Sequence, residues 1–575
     1  MPCPPAERND WRPCGTNQHG KRGTRARAVK RATLGEIGAA ELDLLVVGGG
    51  IVGCGIARDA TLRGLRVGLI EREDFGAGTT SRSTRLIHGG LRYLELLDFG
   101  LVRTDMRERE TLLRIAPHLV KPLAFLVPMY GWPAWKRARL RLGMILYDLL
   151  SYDKSLPWHS FLSRAETLLA EPSLTPLGLQ GAARYYDCQV EFPERLALAN
   201  AIDAADHGAL LRNHTAMERF VRHDGRVVGV EARDVQDNER ALIRARITIN
   251  ATGPWLDRSL GPVDDARGPL LRTTKGTHLV MPALTSNAIL LIAHIDGRVF
   301  FVVPWFGYSL VGTTDTDYFD DPAKVRADPT DVAYLLHETV TSFPAAAGMP
   351  VHYAMAGVRA LVRREGVREG QVSRKHAIRE HRWAGGPEGL ISVLGGKITA
   401  YREIAEETAD LAARRLGGAA AGKACRTAHV PLPGGDRPPD QILAGLGRQA
   451  ARLGLSDTQT RHLVDLYGSR TTDVVELAET DSSLAAPLCP HGPAIRAQVL
   501  HAVRVEAATT LADALLRRAP IGLAACQGLD CLEAAAEVMG DTLGWDEARR
   551  RAETEAYREL IAERYVVPQV VSAPA

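Results

Sequence analysis

At 575 residues, with 45% hydrophobic and 24% charged side chains, the chain exceeds one ordinary domain and has the make-up of a folded globular protein with roughly two to four cores. Its formal charge is +3, but residues 1–40 hold eight Lys or Arg against three acids, which leaves the remainder at −2 and no bulk electrostatic basis for a nucleic-acid partner. No uncharged apolar run approaches the roughly twenty residues of a membrane span, so the chain is not expected to cross a bilayer.

Residues 1–40 are rich in Pro, Gly and Arg without apolar periodicity. They read as a disordered basic leader, with no apolar stretch of the secretory kind. Leu44–Val47 is an unbroken apolar run, the pattern of a strand covered on both faces. Gly48, Gly50 and Gly53 then fit G-x-G-x-x-G, in which the glycines permit a tight turn, backbone approach to a pyrophosphate, and close helix–strand packing. A helix is predicted from there to Gly64, its unpartnered N-terminal N–H groups facing an anion. A second strand, Leu65–Ile70, ends at Glu71, an acceptor for adenosine ribose hydroxyls. Strand, glycines, helix, strand and acid in that order point to an adenine dinucleotide, and at this stage NAD and FAD both fit.

A polar, glycine-containing segment covers Gly76–Arg92, followed by helical spacing from Tyr93 to Ile115, broken up by Pro117, Pro122 and Pro128. Strands are predicted at Arg226–Ala232 and Arg244–Asn250 around a turn at Val235–Glu239. Between Arg272 and Asp317, strand-like runs alternate with turn residues, the pattern of an inserted, mostly antiparallel sheet. Leu390–Leu394 is a short strand pattern ending in Gly395-Gly396, and Lys397–Leu416 has helical spacing. A Pro/Gly cluster at Pro431–Pro439 marks a linker, and Gln441–Tyr565 is helix-rich. The expected organisation is a discontinuous cofactor domain (41–120, 195–270 and 355–417), a substrate or cap domain (121–194 and 271–354), a linker (418–440) and a helical domain (441–567). Eight cysteines are scattered without a C-x-x-C pair or a pattern suited to zinc; reduced cytoplasmic thiols and no metal are expected.

Six ordered blocks carry more information than any of these features. They are Thr79-Thr-Ser-Arg-Ser-Thr-Arg-Leu-Ile-His-Gly-Gly-Leu-Arg-Tyr93, Asn250-Ala-Thr-Gly-Pro-Trp255, Thr274-Lys-Gly-Thr-His278, Pro304-Trp305 with Gly312-Thr-Thr-Asp315, Gly357-Val-Arg359, and Gly395-Gly-Lys-Ile-Thr399. Together they closely resemble the FAD-dependent, aerobic-type glycerol-3-phosphate dehydrogenases over roughly residues 42–416. The helical tail, densest at Arg504–Arg518, resembles that family's C-terminal domain.

The resemblance implies an α/β fold: a Rossmann-like FAD-binding domain, an inserted antiparallel cap sheet and a C-terminal α-helical domain. It further implies oxidation of sn-glycerol 3-phosphate to dihydroxyacetone phosphate by FAD, with electrons passed to a membrane quinone, in glycerol and glycerophospholipid catabolism. The expected place is the cytoplasm, peripheral on the inner face of the cell membrane, and a homodimer stays open. An oxidase using O2, an FAD amine or amino-acid oxidase, and a non-catalytic flavin-binding protein are the competing readings.

A phosphomonoester dianion calls for clustered cations. Arg92, Tyr93, Lys275 and Arg374 are the expected substrate-binding residues. Loss of the C2 hydroxyl proton needs a base, for which His278 is the choice; Arg359 would polarise the forming carbonyl and Lys397 would lie near flavin and substrate. His88 is the rival base and is assigned to flavin contact. Gly48, Gly50, Gly53 and Glu71 would hold the ADP half, Thr79, Thr80, Ser83 and Arg85 the pyrophosphate and ribityl side, and Gly253, Gly395, Gly396 and Thr399 the remainder. Two blocks depart from the family: Tyr186-Asp-Cys-Gln-Val-Glu-Phe-Pro-Glu-Arg-Leu196 is altered and one residue longer, and Val358-Arg-Ala-Leu361 replaces Val-Arg-Pro-Leu. Trp132, Trp135, Lys136, Arg137, Arg139 and Arg141 precede the apolar Leu142–Leu150, which suits an amphipathic helix on an anionic bilayer and equally a core helix with a basic end.

Overall fold

The computed structural model describes residues 31–91, 94, 98–264, 268–363 and 375–569. Two sheets organise it. In the first, Leu390–Leu394, Arg240–Asn250, Leu42–Val47, Val67–Ile70 and Leu210–Arg212 lie side by side and parallel. The strand Ala377–Glu380 adds antiparallel at one edge, while Thr215–His223 and Arg226–Asp234 extend Arg240–Asn250 as a meander. The continuous apolar run in Leu42–Val47 is explained by its cover. Leu44 and Val46 pack with Ile56 and Ala57 of the helix Ile51–Leu62, while Leu42, Leu45 and Val47 pack on the opposite face with Leu34 and Ile37.

Leu34 and Ile37 belong to a helix, Leu34–Ala39, inside the stretch read as a disordered leader, and this is a correction. The helix is closed by a capping box in which Thr33 Oγ1 accepts the Glu36 N–H at 3.1 Å and Glu36 accepts the Thr33 N–H at 2.8 Å. Its two apolar side chains complete the second face of a parallel sheet that must be covered on both sides. Residues 1–30 of the expected leader lie outside the described residues.

The second sheet is mostly antiparallel. Its long strands are Val120–Tyr130, Leu179–Val190, Leu271–Pro282 and Tyr353–Val362, joined by Ala288–Ile292, Val299–Trp305 and Tyr308–Gly312. Val120–Tyr130 contains Pro122 and Pro128, expected to interrupt structure. Both lie outside the two residues, Phe125 and Leu126, that pair with a second neighbour, so the missing N–H groups are tolerated. Tyr353–Val362 runs antiparallel to Leu271–Val280, so residues 355–362, assigned from sequence to the cofactor domain, belong to this sheet.

Beyond residue 438 the chain is helical, with Pro439–Arg452, Asp457–Tyr467, Thr471–Thr480, Arg496–Arg504, Leu532–Leu543 and Glu547–Arg564 as its main helices. Charge pairs dock it onto the first sheet. Arg195 meets Glu506 at 2.6 Å, Arg564 meets Glu73 at 2.9 Å, and Asp74 accepts from both Arg517 and Arg518.

Leu34 is fully buried. Leu34→Ala is expected to cost about 2–5 kcal/mol through lost burial and a residual cavity. Thermal denaturation of the flavin-loaded protein checks this: an unchanged midpoint would mean the helix does not cover the sheet.

Candidate active site

A cleft of about 1390 Å³ opens between the two sheets, bounded by loops from both. That exceeds the roughly 300–1,000 Å³ usual for one ligand, and leaves room for a cofactor and a substrate together.

At one wall, Gly48 has φ +106°, and a Cβ there would come 2.6 Å from the Ala251 carbonyl oxygen. Gly50 caps the helix Ile51–Leu62 without a side chain, and the Ile51 N–H donates to Thr80 Oγ1 at 3.1 Å. Gly53 lies behind the wall: its Cβ would sit 1.9 Å from the Gly48 oxygen, so helix and turn touch backbone to backbone. Glu71 accepts the N–H groups of Gly49 and Glu73 at 2.6 and 2.8 Å, and burial pushes its carboxyl up to about 7 against those bonds. The turn, the helix N-terminus and the acid fit the ADP half of a dinucleotide.

Gly253, Gly395 and Gly396, all at positive φ, line the same cleft, as do His88 and Thr399, joined where the His88 N–H donates to Thr399 Oγ1 at 3.2 Å. Thr79 Oγ1 donates to the Val358 carbonyl at 2.6 Å, which ties this loop to the second sheet. Ser83 Oγ accepts the Arg85 N–H at 3.3 Å.

Arg85 departs from its expected role. Its guanidinium is buried, bidentate to Glu194 at 2.8 and 3.0 Å, bonded to the carbonyls of Ser81 and Glu191, and 4.4 Å above the Trp305 ring. With those contacts it braces the cleft wall rather than a pyrophosphate.

His278, Arg359 and Lys397 are brought together as expected, all on the cleft. His278 is 2% exposed, and its Nε2 lies 3.0 Å from Thr84 Oγ1 while Nδ1 is buried without a partner. Burial first, then the charges of Arg359 and Arg85, hold its imidazole down at about 3, so it is neutral at physiological pH. Arg359 donates to Asp315 Oδ1 at 3.0 Å, Thr313 Oγ1 at 2.8 Å and the Thr314 carbonyl at 3.2 Å. Lys397 Nζ meets Asp105 Oδ2 at 2.5 Å, and burial raises that acid to about 6 against the pull of the ammonium.

Lys275 does not join them. It pairs with Asp328 and, at 2.7 Å, Asp331, while Thr277 donates to Asp331 at 2.8 Å. Lys275 and His278 are three positions apart in one strand, and an odd offset puts them on opposite faces. Arg92, Tyr93 and Arg374 lie outside the described residues. Thr84, Asp105, Thr313 and Asp315 were not singled out; three of the four lie in the matched blocks, and only their contacts reveal their place.

The helix Ala134–Leu150 forms another side of the cleft, through Lys136, Arg139, Leu140, Gly143 and Leu146. Met144 and Tyr147 are buried beneath it, where Tyr147 donates to Asp187 at 2.6 Å. Its outer stripe is exposed and apolar: Trp135 is 64% exposed, with Ile145 and Leu149 at helical spacing beyond. The helix is thus buried on one face and exposed and apolar on another.

Comparison with known proteins decides among the flavin and nicotinamide readings. The sequence profile of the FAD dependent oxidoreductase family matches residues 43–402, and that of the C-terminal domain of alpha-glycerophosphate oxidase matches residues 425–550. Glycerol-3-phosphate dehydrogenase of Synechocystis is 37% identical over 92% of this chain and 98% of its own. The chain belongs to the FAD-dependent glycerol-3-phosphate dehydrogenase family. Another member, glycerol-3-phosphate dehydrogenase 2 of Mycobacterium tuberculosis, is 37% identical over 89% of this chain and 86% of its own. The structure of the Bacillus halodurans family member complexed with FAD superposes with a TM-score of 0.74 at 29% identity, over 92% of this chain and 96% of that one. Glycine oxidase from Geobacillus kaustophilus, at 21% identity and a TM-score of 0.51 over 68% of this chain and 98% of that one, shares the fold alone. FAD is thus the cofactor of this flavoprotein.

Because a Cβ at Gly53 meets backbone, Gly53→Ala is expected to displace the turn and yield protein largely depleted of flavin. The ratio of flavin to protein absorbance checks this, and a wild-type ratio would remove the close approach as a requirement for binding.

Proposed function

We propose that the chain oxidises sn-glycerol 3-phosphate to dihydroxyacetone phosphate and hands the electrons to a membrane quinone. The observation that carries the reaction is the juxtaposition, in one cleft with the glycine turn, of a neutral buried histidine and a guanidinium on one face of one strand pair. The substrate named for the relatives fits that arrangement.

Gly48, Gly50 and Glu71 would hold the ADP half of FAD, Thr80 and Ser83 the middle, and Gly253, Gly395, Gly396, Thr399 and His88 the flavin side. Bound there, the flavin supplies the two-electron acceptor. His278 takes the C2 hydroxyl proton on Nε2, in place of its bond to Thr84. An imidazole held at about 3 has an available lone pair but holds a proton poorly. A phosphate dianion entering the cleft offsets the positive field of Arg359 and Arg85, so the proton affinity of His278 rises when substrate is present. Arg359, fixed by Asp315, Thr313 and the Thr314 carbonyl, keeps positive charge beside the forming carbonyl oxygen without reorganising. Lys397, oriented by Asp105, adds a second cation.

Anaerobic addition of glycerol 3-phosphate is expected to bleach the flavin. His278→Asn should slow that bleaching by about 10²–10⁴-fold with little change in substrate affinity, as loss of a general base does. Stopped-flow absorbance measures both, and an unchanged rate would remove His278 as the base.

Support for the quinone comes from the helix Ala134–Leu150, which lines the cleft on one side and presents Trp135, Ile145 and Leu149 outward, with exposed Tyr152 and Trp158 following it. Arg139 and Arg141 on the same helix suit an anionic surface. No described helix is long and apolar enough to cross a membrane, so contact would be interfacial. Trp135→Glu with Leu149→Glu should abolish co-sedimentation with anionic phospholipid vesicles while leaving anaerobic bleaching intact. Full retention on vesicles would overturn the membrane contact, and stoichiometric peroxide in quinone-free solution would overturn the quinone.

A further inference from the structure

His278 has one nitrogen to work with. It pairs with Gly312 of the strand Tyr308–Gly312, and its ring lies so close over that glycine that a Cβ there would come 2.5 Å from the ring Cδ2. So packed, the ring keeps Nδ1 buried without a hydrogen-bond partner and places Nε2 3.0 Å from Oγ1 of Thr84, a half-buried residue that also lines the cleft. Among the described residues no other group hydrogen-bonds the ring.

Thr84 is held in place by its neighbour. Arg85 has φ +62°, a left-handed conformation that residues other than glycine seldom adopt. Such a conformation persists where the surroundings over-determine it. Here the guanidinium grips Glu194 and the carbonyls of Ser81 and Glu191, the Arg85 carbonyl accepts the Val190 N–H at 2.9 Å, and the Arg85 N–H donates to Ser83 Oγ at 3.3 Å. Leu86 and Ile87, directly beyond, pair with Gln189 and Cys188. The buried Arg85–Glu194 pair thus fixes the backbone on one side of Thr84, and the turn Thr79–Arg82 leads into it on the other.

A buried base has to be served in two protonation states. Before the reaction Nε2 carries a lone pair, which calls for a donor. Afterwards it carries a proton, and a charged N–H left without an acceptor in a buried site is costly. Nδ1 brings no relief, because it has no partner in either state. The oxygen that gave up the proton has by then become a carbonyl. An ionised carboxylate beside Nε2 would only accept and an ammonium would only donate, whereas a hydroxyl does both by turning about its C–O bond.

We propose that Thr84 is a positioning residue for the base: its hydroxyl donates to His278 Nε2 while the lone pair is unused, and accepts from the same nitrogen once it holds the C2 proton. This role rests on the reading of His278 as the base. The substrate hydroxyl displaces Thr84 from the lone pair. The C2–H bond then breaks with its electron pair going to the flavin as hydride, the hydroxyl proton goes to Nε2, and the C–O bond becomes a carbonyl. As the product oxygen withdraws, Thr84 takes up the Nε2 proton in a hydrogen bond. That proton passes to water in the cleft, and the hydroxyl turns back. Arg85 and Glu194 act through Thr84, by holding the loop that presents it.

The test uses the full-length, flavin-loaded enzyme in anaerobic stopped flow. Thr84→Val removes the hydroxyl at nearly constant volume. Its flavin bleaching at saturating glycerol 3-phosphate is expected to slow by about 10–100-fold, the worth of one hydrogen bond to a charged group. The half-saturating concentration should stay as in the wild type, and Thr84→Ser should restore the rate. A second readout needs no turnover. In protein with isotope-labelled histidine, the Nε2 resonance that is missing from His278→Asn should move in Thr84→Val and return in Thr84→Ser. Should Thr84→Val take up no flavin, Thr84→Ala set against Thr84→Ser makes the same comparison. A wild-type rate without the hydroxyl, a serine variant no faster than the valine one, a loss confined to substrate affinity, or an unmoved Nε2 resonance would each overturn the role. A wild-type flavin that glycerol 3-phosphate does not bleach, or an unimpaired His278→Asn, would remove the base itself and this partner with it.

Discussion

The antiparallel pairing of Leu271–Val280 with Tyr353–Val362 is the constraint on which the active site depends. Side chains alternate between the faces of a strand, so fixing this register fixes which residues see the cleft. Gly276 and Gly357 sit opposite one another and leave the face open: a Cβ on Gly276 would lie 2.2 Å from Arg359 Nη2, and one on Gly357 2.9 Å from Arg82 Cβ. Into that opening come the Arg359 guanidinium and, two residues beyond Gly276, the His278 ring. The other face of the same strand turns Lys275 and Thr277 toward Asp331. A slip of one residue would exchange the two sets, replacing a neutral imidazole by an ammonium.

The cofactor end of the cleft was legible in the sequence because its chemistry is local. Gly48, Gly50, Gly53 and Glu71 fall within one strand–helix–strand unit, and their separations are set by that unit alone. The substrate end was legible only as a set of residues, because its geometry arises from pairing between distant strands. Lys275 was misplaced where counting the three residues to His278 would have turned it away. Arg85 was misplaced because its partner, Glu194, is 109 residues distant. Conversely, the helix Leu34–Ala39 carried its own signal in Thr33-Leu-Gly-Glu36, a capping box read past because its surroundings are basic and rich in glycine. Pro122 and Pro128 pulled in the other direction, toward a break, where the strand meets its second neighbour at only two residues.

Charge complementarity joins the helical domain to the rest. Glu73 and Asp74 lie two and three positions after Glu71, beyond Arg72, in the loop beside the adenosine end, and their partners Arg564, Arg517 and Arg518 all come from the helical domain. Burial alone would raise the Glu73 carboxyl; Arg564 outweighs it and holds the group at about 2, ionised throughout the physiological range. Glu506 and Arg195 repeat the arrangement under the helix Pro193–Asp206. Isolated buried charges are costly, whereas these are matched, so one orientation of the domain satisfies all of them and displaced ones leave several unpaired.

That loop also sets an order of events during synthesis. Asp74 waits for arginines 443 and 444 residues further on, and Glu73 for one 491 residues away. At about 5–20 residues per second, the ribosome needs about 20–100 s to deliver them. For that interval Glu73 and Asp74 lack the arginines that pair with them in the folded chain. The ion pairs that hold the helical domain against this loop are therefore complete only once the helix Glu547–Arg564 has been made.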